Sequence, residues 1–223
     1  MKATTLIASA IALAVASPLA LAHKEGELIL RAGAAMVDPQ TDSDELELNG
    51  AALAGTKATV DVNTQLGLTL SYMLTDHIGV ELLAATPFQH RVGVKGLGGL
   101  DGKLGDVKQL PPTLSLQYYP MAATSAWQPY VGAGVNYTTF FDEKLTSTRK
   151  AQGFSDLELE DSWGLALQVG SDFMITDKLM LNAAVWYIDI NTTATTRLGG
   201  VNKVKVDVDI DPWVFMLGMG YKF

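Results

Sequence analysis

The chain has 223 residues, 48% of them hydrophobic and 18% charged, with a formal net charge of −8 and no cysteine. The acidic balance argues against a nucleic-acid partner, which needs a basic face to neutralise phosphates, and the lack of cysteine excludes a disulfide framework. Stability has to come from size, packing or a surrounding bilayer.

Residues 1–22 read as a secretory signal peptide. Lys2 gives a positive start, residues 6–15 form an apolar run too short to anchor in a bilayer, and Ala20-Leu21-Ala22 is an A-x-A cleavage site. Residues 23–223 then form one exported domain, beginning at His23, which this reading leaves off any wall. No later apolar stretch approaches the roughly 18 residues of a membrane helix. The other way of crossing a membrane is a closed β-barrel, whose strands alternate lipid-facing and lumen-facing residues.

That alternation recurs along the chain. Leu28, Leu30, Ala32, Ala34 and Met36 stand against Glu27, Arg31 and Gly33, and Leu66, Leu68, Leu70, Tyr72 and Leu74 against Gln65, Gly67, Thr69, Ser71 and Met73. A period of two predicts strands. Ile78, Val80, Leu82 and Ala84 oppose Gly79, Glu81 and Leu83; late in this third strand Pro87 lacks an N–H, which removes a ladder bond and predicts a local gap or bulge. Leu114, Leu116 and Tyr118 oppose Ser115 and Gln117; Val131, Ala133, Val135 and Tyr137 oppose Gly132, Gly134 and Asn136. Trp163, Leu165, Leu167, Val169 and Phe173 oppose Gly164, Gln168, Gly170 and Asp172, and Leu179, Leu181, Ala183, Val185 and Tyr187 oppose Asn182, Ala184 and Trp186. The eighth strand closes the chain with Trp213, Phe215, Leu217, Met219, Tyr221 and Phe223 against Val214, Met216, Gly218, Gly220 and Lys222.

The connections run 38–62, 75–77, 89–109, 120–128, 142–161, 176–178 and 191–207, alternately long and short. Together these features predict an all-β fold: an eight-stranded antiparallel transmembrane β-barrel with long extracellular loops and short periplasmic turns. Ten residues at about 3.3 Å each, tilted by about 40°, rise about 25 Å, the height of an outer-membrane apolar band. Aromatics near strand ends, Phe88, Tyr118, Tyr119, Trp127, Tyr130, Phe140, Trp163 and Trp213 among them, read as an interfacial girdle. Residues 203–211 are apolar at even numbers and the strand after them at odd ones; this slip beside Pro212 predicts a β-bulge, with the strand continuing above the membrane as an extended ribbon.

If the apolar faces meet lipid, the opposite faces line a lumen that eight strands leave only wide enough for side chains or one small ligand. Arg31, Glu81, Asn136, Gln168 and Asp172 are its polar lining, with Arg31 expected to neutralise Glu81 or Asp172. Met73, Leu83, Met174, Trp186 and Ile188 are large apolar groups on the same wall, which suggests an interior able to pass an apolar solute. No nucleophile stands with His77 or His90. Gly132-Ala-Gly134 follows no strand-to-helix turn, and Asp207, Asp209 and Asp211 read as a solvated face rather than a cation site. The reading therefore contains no enzyme activity, no cofactor and no metal.

Several blocks resemble the OmpW family of outer-membrane proteins: residues 63–69 (NTQLGLT), 79–88 (GVELLAATPF), 110–114 (LPPTL), 129–142 (PYVGAGVNYTTFFD), 155–164 (SDLELEDSWG), 185–190 (VWYIDI) and the closing DPWVFMLGMGYKF. The resemblance implies localisation in the bacterial outer membrane and a narrow channel for small hydrophobic molecules, released sideways into the membrane. By motif position it implies a constriction at Leu83 and Trp186 and a lateral opening at Pro87. It also implies that Phe223 is the signal read by the barrel-assembly machinery. Two rival readings stay open: a channel for small polar solutes such as amino acids, and a closed structural or receptor barrel.

Overall fold

The computed structural model describes residues 23–223; residues 1–22, with the signal-peptide reading, lie outside the described part. Eight strands form the wall: β1 (Leu28–Asp38), β2 (Asn63–Met73), β3 (Ile78–Ala85), β4 (Thr113–Tyr118), β5 (Trp127–Leu145), β6 (Ser162–Met174), β7 (Leu179–Ile188) and β8 (Trp213–Lys222). Each pairs antiparallel with the next, and β8 returns to β1 through Leu30↔Tyr221 and Ala34↔Leu217. Closure leaves no edge strand, the condition for a sheet in hydrocarbon, where unpaired backbone groups have no water to bond.

The alternation sorts the side chains as the pattern requires. Leu114, Leu167, Leu217 and Trp163 face outward, with Leu217 70% exposed, while Arg31, Ser71, Gln168 and Trp186 are buried inside. Close inward packing explains two of the glycines. A Cβ at Gly132 would stand 2.9 Å from Gln168 Oε1, and one at Gly220 would stand 2.7 Å from Met180 Cγ and 3.1 Å from Arg31 Cγ. Four of the girdle aromatics point inward instead: Phe88, Tyr119, Tyr130 and Phe140 are all buried, because each sits at an inward register position.

Much of what reads as long loops is paired. Lys57–Val60, Phe88–Lys95, Gly102–Leu110 and the upper part of β5 form one sheet above the barrel. Phe154–Leu159, Asn191–Leu198 and Asn202–Asp209 form a second, with the short strands Asp42–Ser43, Glu47–Leu48 and Ala51–Ala52 beside them. The expected ribbon at 203–209 is present, but the β-bulge is not. Tyr187↔Trp213 and Asn191↔Asp209 lie on one continuous register, and so do Asp38↔Trp213 and Asp42↔Asp209 on the other flank. Even-numbered residues stay inside throughout, from Val204, Val206, Val208 and Ile210 to Val214 and Met216. The surroundings change, not the chain: above the membrane the outside is water and the inside apolar, whereas within it lipid takes the outside. Asp211 marks the boundary, with a left-handed φ of +37° and a carboxylate accepting from Ile190 N–H at 3.1 Å and Tyr187 Oη–H at 3.2 Å.

This inversion makes the cost of a charge depend on height. Leu217→Arg is expected to destabilise the barrel by about 2–4 kcal/mol in urea titrations in lipid vesicles. Val201→Arg, at the 82%-exposed tip of the ribbon, should stay within about 0.5 kcal/mol; equal costs would remove the inversion.

Candidate functional site

At the periplasmic end of the lumen lies a network centred on Arg31, which is fully buried. Its Nε and Nη2 donate to the two oxygens of Asp172 at 2.9 and 2.5 Å, a bidentate pair. Its Nη1 donates to Ser71 Oγ at 2.7 Å and Glu81 Oε2 at 3.0 Å, and Nη2 also donates to Tyr119 Oη at 3.0 Å. A guanidinium has five N–H groups, so every one is used. The carboxylates are held in turn: Gln168 donates to Glu81 Oε1 at 2.8 Å, Asn182 to Asp172 Oδ1 at 2.8 Å, and Gln117 to Gln168 Oε1 at 3.1 Å. The sequence expectation paired Arg31 with Glu81 or Asp172; the structure pairs it with both. Burial of two carboxylates demands as many compensating bonds as possible.

His23 belongs to this floor. It is buried, its Nε2 lies 2.9 Å from Asp172 Oδ2, and its ring meets Tyr119 edge-on at 4.9 Å. Placing it off the wall missed that role, since no periodic pattern reaches a residue preceding the first strand. Tyr119 and Tyr130 were missed because aromatics at strand ends resemble a girdle; the parity running Ser115, Gln117, Tyr119 on one strand and Tyr130, Gly132, Gly134, Asn136 on the next was the available signal.

Above the floor large apolar groups join paired polar ones in the lining. Leu83 on β3 and Trp186 on β7 are inward and buried, four strands apart in a ring of eight and therefore on opposite walls. Trp186 Nε1 has no hydrogen-bond partner among the described residues. Asn136 is not part of the Arg31 network. It donates to Thr113 Oγ1 at 2.9 Å and Pro112 O at 3.2 Å, and accepts from Thr138 Oγ1–H at 2.7 Å.

Pro87 falls between β3 and Phe88–Lys95. Across from it the pairing of β3 with β4 stops at Leu83↔Thr113, and pairing resumes only at Phe88↔Gln109. Residues 84–87 thus face residues 110–112, and three of them, Pro87, Pro111 and Pro112, have no N–H to donate. On the other flank the ladder continues through Thr86 N–H to Leu66 O at 3.0 Å. The interruption is one-sided, at the upper edge of the lipid-facing band marked by Leu82 and Leu114. Pro111 and Pro112 are the signal the sequence reading quoted but did not use.

Between the two extracellular sheets lies a small apolar cavity, about 50 Å³, lined by Val60, Val92, Leu157, Leu159, Val206 and Ile210, with Val94 and Leu104 shared by a second cavity nearer the loop tips. His90 stands beside it, buried: Nδ1–H donates to Asp61 O at 2.6 Å and Nε2 accepts from Gln109 at 3.1 Å. The bond from Gln109 requires an unprotonated Nε2 and hence the neutral ring, and burial pushes the imidazole below its ordinary value although the Asp61 carbonyl favours the charged form. On the outer face, Lys108 and Lys144 hold the Asp142 carboxyl down at about 2.

Residues 24–223 match the model of the OmpW family. The chain is 51% identical to outer membrane protein W of Vibrio cholerae over 221 residues, covering 98% of this chain and 99% of that one. It is 32% identical to outer membrane protein AlkL of Ectopseudomonas oleovorans over 181 residues, covering 80% and 74%. Among solved structures it is similar to the crystal structure of outer membrane protein OprG from Pseudomonas aeruginosa, with a TM-score of 0.88 and 62% identity over 91% of this chain and 98% of that one.

The floor and His90 each make a measurable claim. Arg31→Met leaves two buried carboxylates without their cation and is expected to cost about 3–5 kcal/mol in urea titrations. A loss under 1 kcal/mol would mean the network is not a unit. For His90, whose folded-state value is depressed, the unfolded state binds more protons as pH falls, so its contribution is present above roughly pH 6.5 and lost below it. Protease cleavage within residues 88–110 is expected to be faster near pH 5 than near pH 7.5, and His90→Gln should flatten that dependence.

Proposed function

The chain belongs to the OmpW family of outer-membrane proteins, and from that premise we propose that it is a passive channel carrying small hydrophobic molecules from the cell exterior into the outer membrane. What carries this reading is the polarity of the interior: apolar between the extracellular sheets, apolar at Leu83 and Trp186, and sealed below by the Arg31 network. A solute that cannot leave downward has the interrupted wall beside Pro87 as its exit, at the height where the outside is already lipid. Each methylene moved from water into such surroundings is favoured by about 0.8 kcal/mol, and a sideways exit spares the solute a return to water. Leu83 and Trp186, projecting from opposite walls, set the width.

Arg31, Glu81, Gln168 and Asp172 serve as the stopper in this scheme, while Asn136 holds the Pro112 carbonyl at the rim of the gap. A channel for amino acids would call for a free cationic group to meet the carboxylate, and the five N–H groups of Arg31 are all engaged. Transport of this kind uses no catalytic residue, cofactor or metal. Phe223, exposed at the chain end beside Tyr221, fits recognition by the barrel-assembly machinery.

Uptake of octane and of the bulkier naphthalene into cells expressing the protein tests the path. Pro87→Ala should slow both, and Trp186→Ala should raise naphthalene uptake relative to octane. Folded variants that transport both solutes at the wild-type rates would overturn lateral release and the constriction.

A further inference from the structure

The two extracellular sheets carry opposite charge. The strands Lys57–Val60, Phe88–Lys95, Gly102–Leu110 and the upper part of β5 hold Lys57, Arg91, Lys95, Lys103, Lys108 and Lys144 against Asp106, Asp142 and Glu143. The second sheet reverses this, with Arg197, Lys203 and Lys205 against Asp42, Glu47, Asp156, Glu158, Asp207 and Asp209. None of the six cations of the first sheet is buried, because its inner face is taken by Val94, Val107 and Phe140. On a chain of net charge −8 such a face is a local excess, set there against the overall balance.

Its height is as informative as its sign. Lys108 follows Leu110 on the outward ladder and lies in register with Gln89 and Phe141, and in the next row Arg91 and Lys144 flank Asp106. Rows on one face are about 6.6 Å apart along the strand, so these cations begin where the lipid-facing band of Leu82 and Leu114 ends. Lys108 Nζ and Lys144 Nζ share a single carboxylate, Asp142, at 2.7 and 2.6 Å, which leaves one positive charge in excess. Lys103 occupies Asp106 at 2.7 Å, and Arg91 has no ion pair among the described residues. Arg91 borders a polar cleft of about 540 Å³ together with Asp61, Asn63, Gln65, Gln89, Lys103 and Asp106.

We propose that this face docks the phosphorylated headgroup of an outer-leaflet glycolipid, with its phosphates on Arg91, Lys108 and Lys144 and its sugar hydroxyls against Gln89. The anion supplies the charge the face lacks. A guanidinium grips phosphate bidentately, and each cation at an anionic lipid surface strengthens the attachment. The face stands over the break between residues 84–87 and 110–112, so a docked lipid leaves its acyl chains beside the interrupted wall. Docking needs only the outer-membrane location and holds whether or not the barrel is a channel.

Native mass spectrometry of the protein in detergent micelles, titrated with lipid A carrying two, one or no phosphates, tests it. Affinity is expected to fall with each phosphate removed. Arg91→Gln, Lys108→Gln and Lys144→Gln combined should weaken binding of the doubly phosphorylated lipid at least about tenfold. Lys203→Gln with Lys205→Gln, the same change of charge type on the acidic sheet, should leave it unchanged. All these side chains lie on outer faces, and a urea titration checks that each variant is folded. Equal binding of the three lipids, or equal losses in the two variants, would overturn the docking face. Competition by inorganic phosphate equimolar with the lipid would also overturn it, by showing a site for small anions in place of a lipid surface. Octane uptake reports the channel separately, so its failure with lipid binding intact condemns the channel and not the face.

Discussion

A backbone amide that faces hydrocarbon has no water to bond, and the rest of this structure follows from how that constraint is met. Eight strands close on themselves, so each segment finds its partners in a neighbour. The one-sided break between residues 84–87 and 110–112 stands out against this background. Three of those residues are prolines, which have no N–H to leave unsatisfied. The ladder is interrupted where interruption costs least, at the height where lipid-facing leucines end.

The second constraint is the change of solvent along the barrel axis. Within the membrane the outside must be apolar and the inside holds the charged floor; above it the outside must be polar and the inside becomes a core. One strand passes through both regimes without changing register, from Asn202–Asp209 into β8. A small cavity lined by valine and leucine therefore sits above the inward Leu83 and Trp186, with the Arg31 network below them. A device of this polarity suits solutes that prefer lipid to water.

The barrel was legible because lipid contact imposes a period of two over ten residues at a time, as in Gln65 to Leu74. The extracellular sheets were not, since strands such as Asp42–Ser43 and Glu47–Leu48 are too short to show a period. At Asp211-Pro212 the pattern located the switch of the apolar face and misnamed its cause, because such a switch looks the same whether the chain or the solvent changes. Arg31, Glu81, Gln168 and Asp172 were visible as polar residues in a lipid-facing pattern, whereas His23, which reaches Asp172 from outside any strand, had no period to betray it. The gap was half visible: Pro87 was read as a wall defect, but that Pro111 and Pro112 face it is a fact of register, which no single segment contains.

The central claim, exit through the gap, can be tested in a chain that has no cysteine of its own. Continuing the register Leu82↔Leu114 and Leu83↔Thr113 sets residue 84 opposite residue 112, so Ala84→Cys with Pro112→Cys places a removable staple across the opening. Octane uptake is expected to fall to the level of cells lacking the protein when the disulfide forms and to return on reduction. Stapled and reduced protein carrying octane at the same rate would contradict the account.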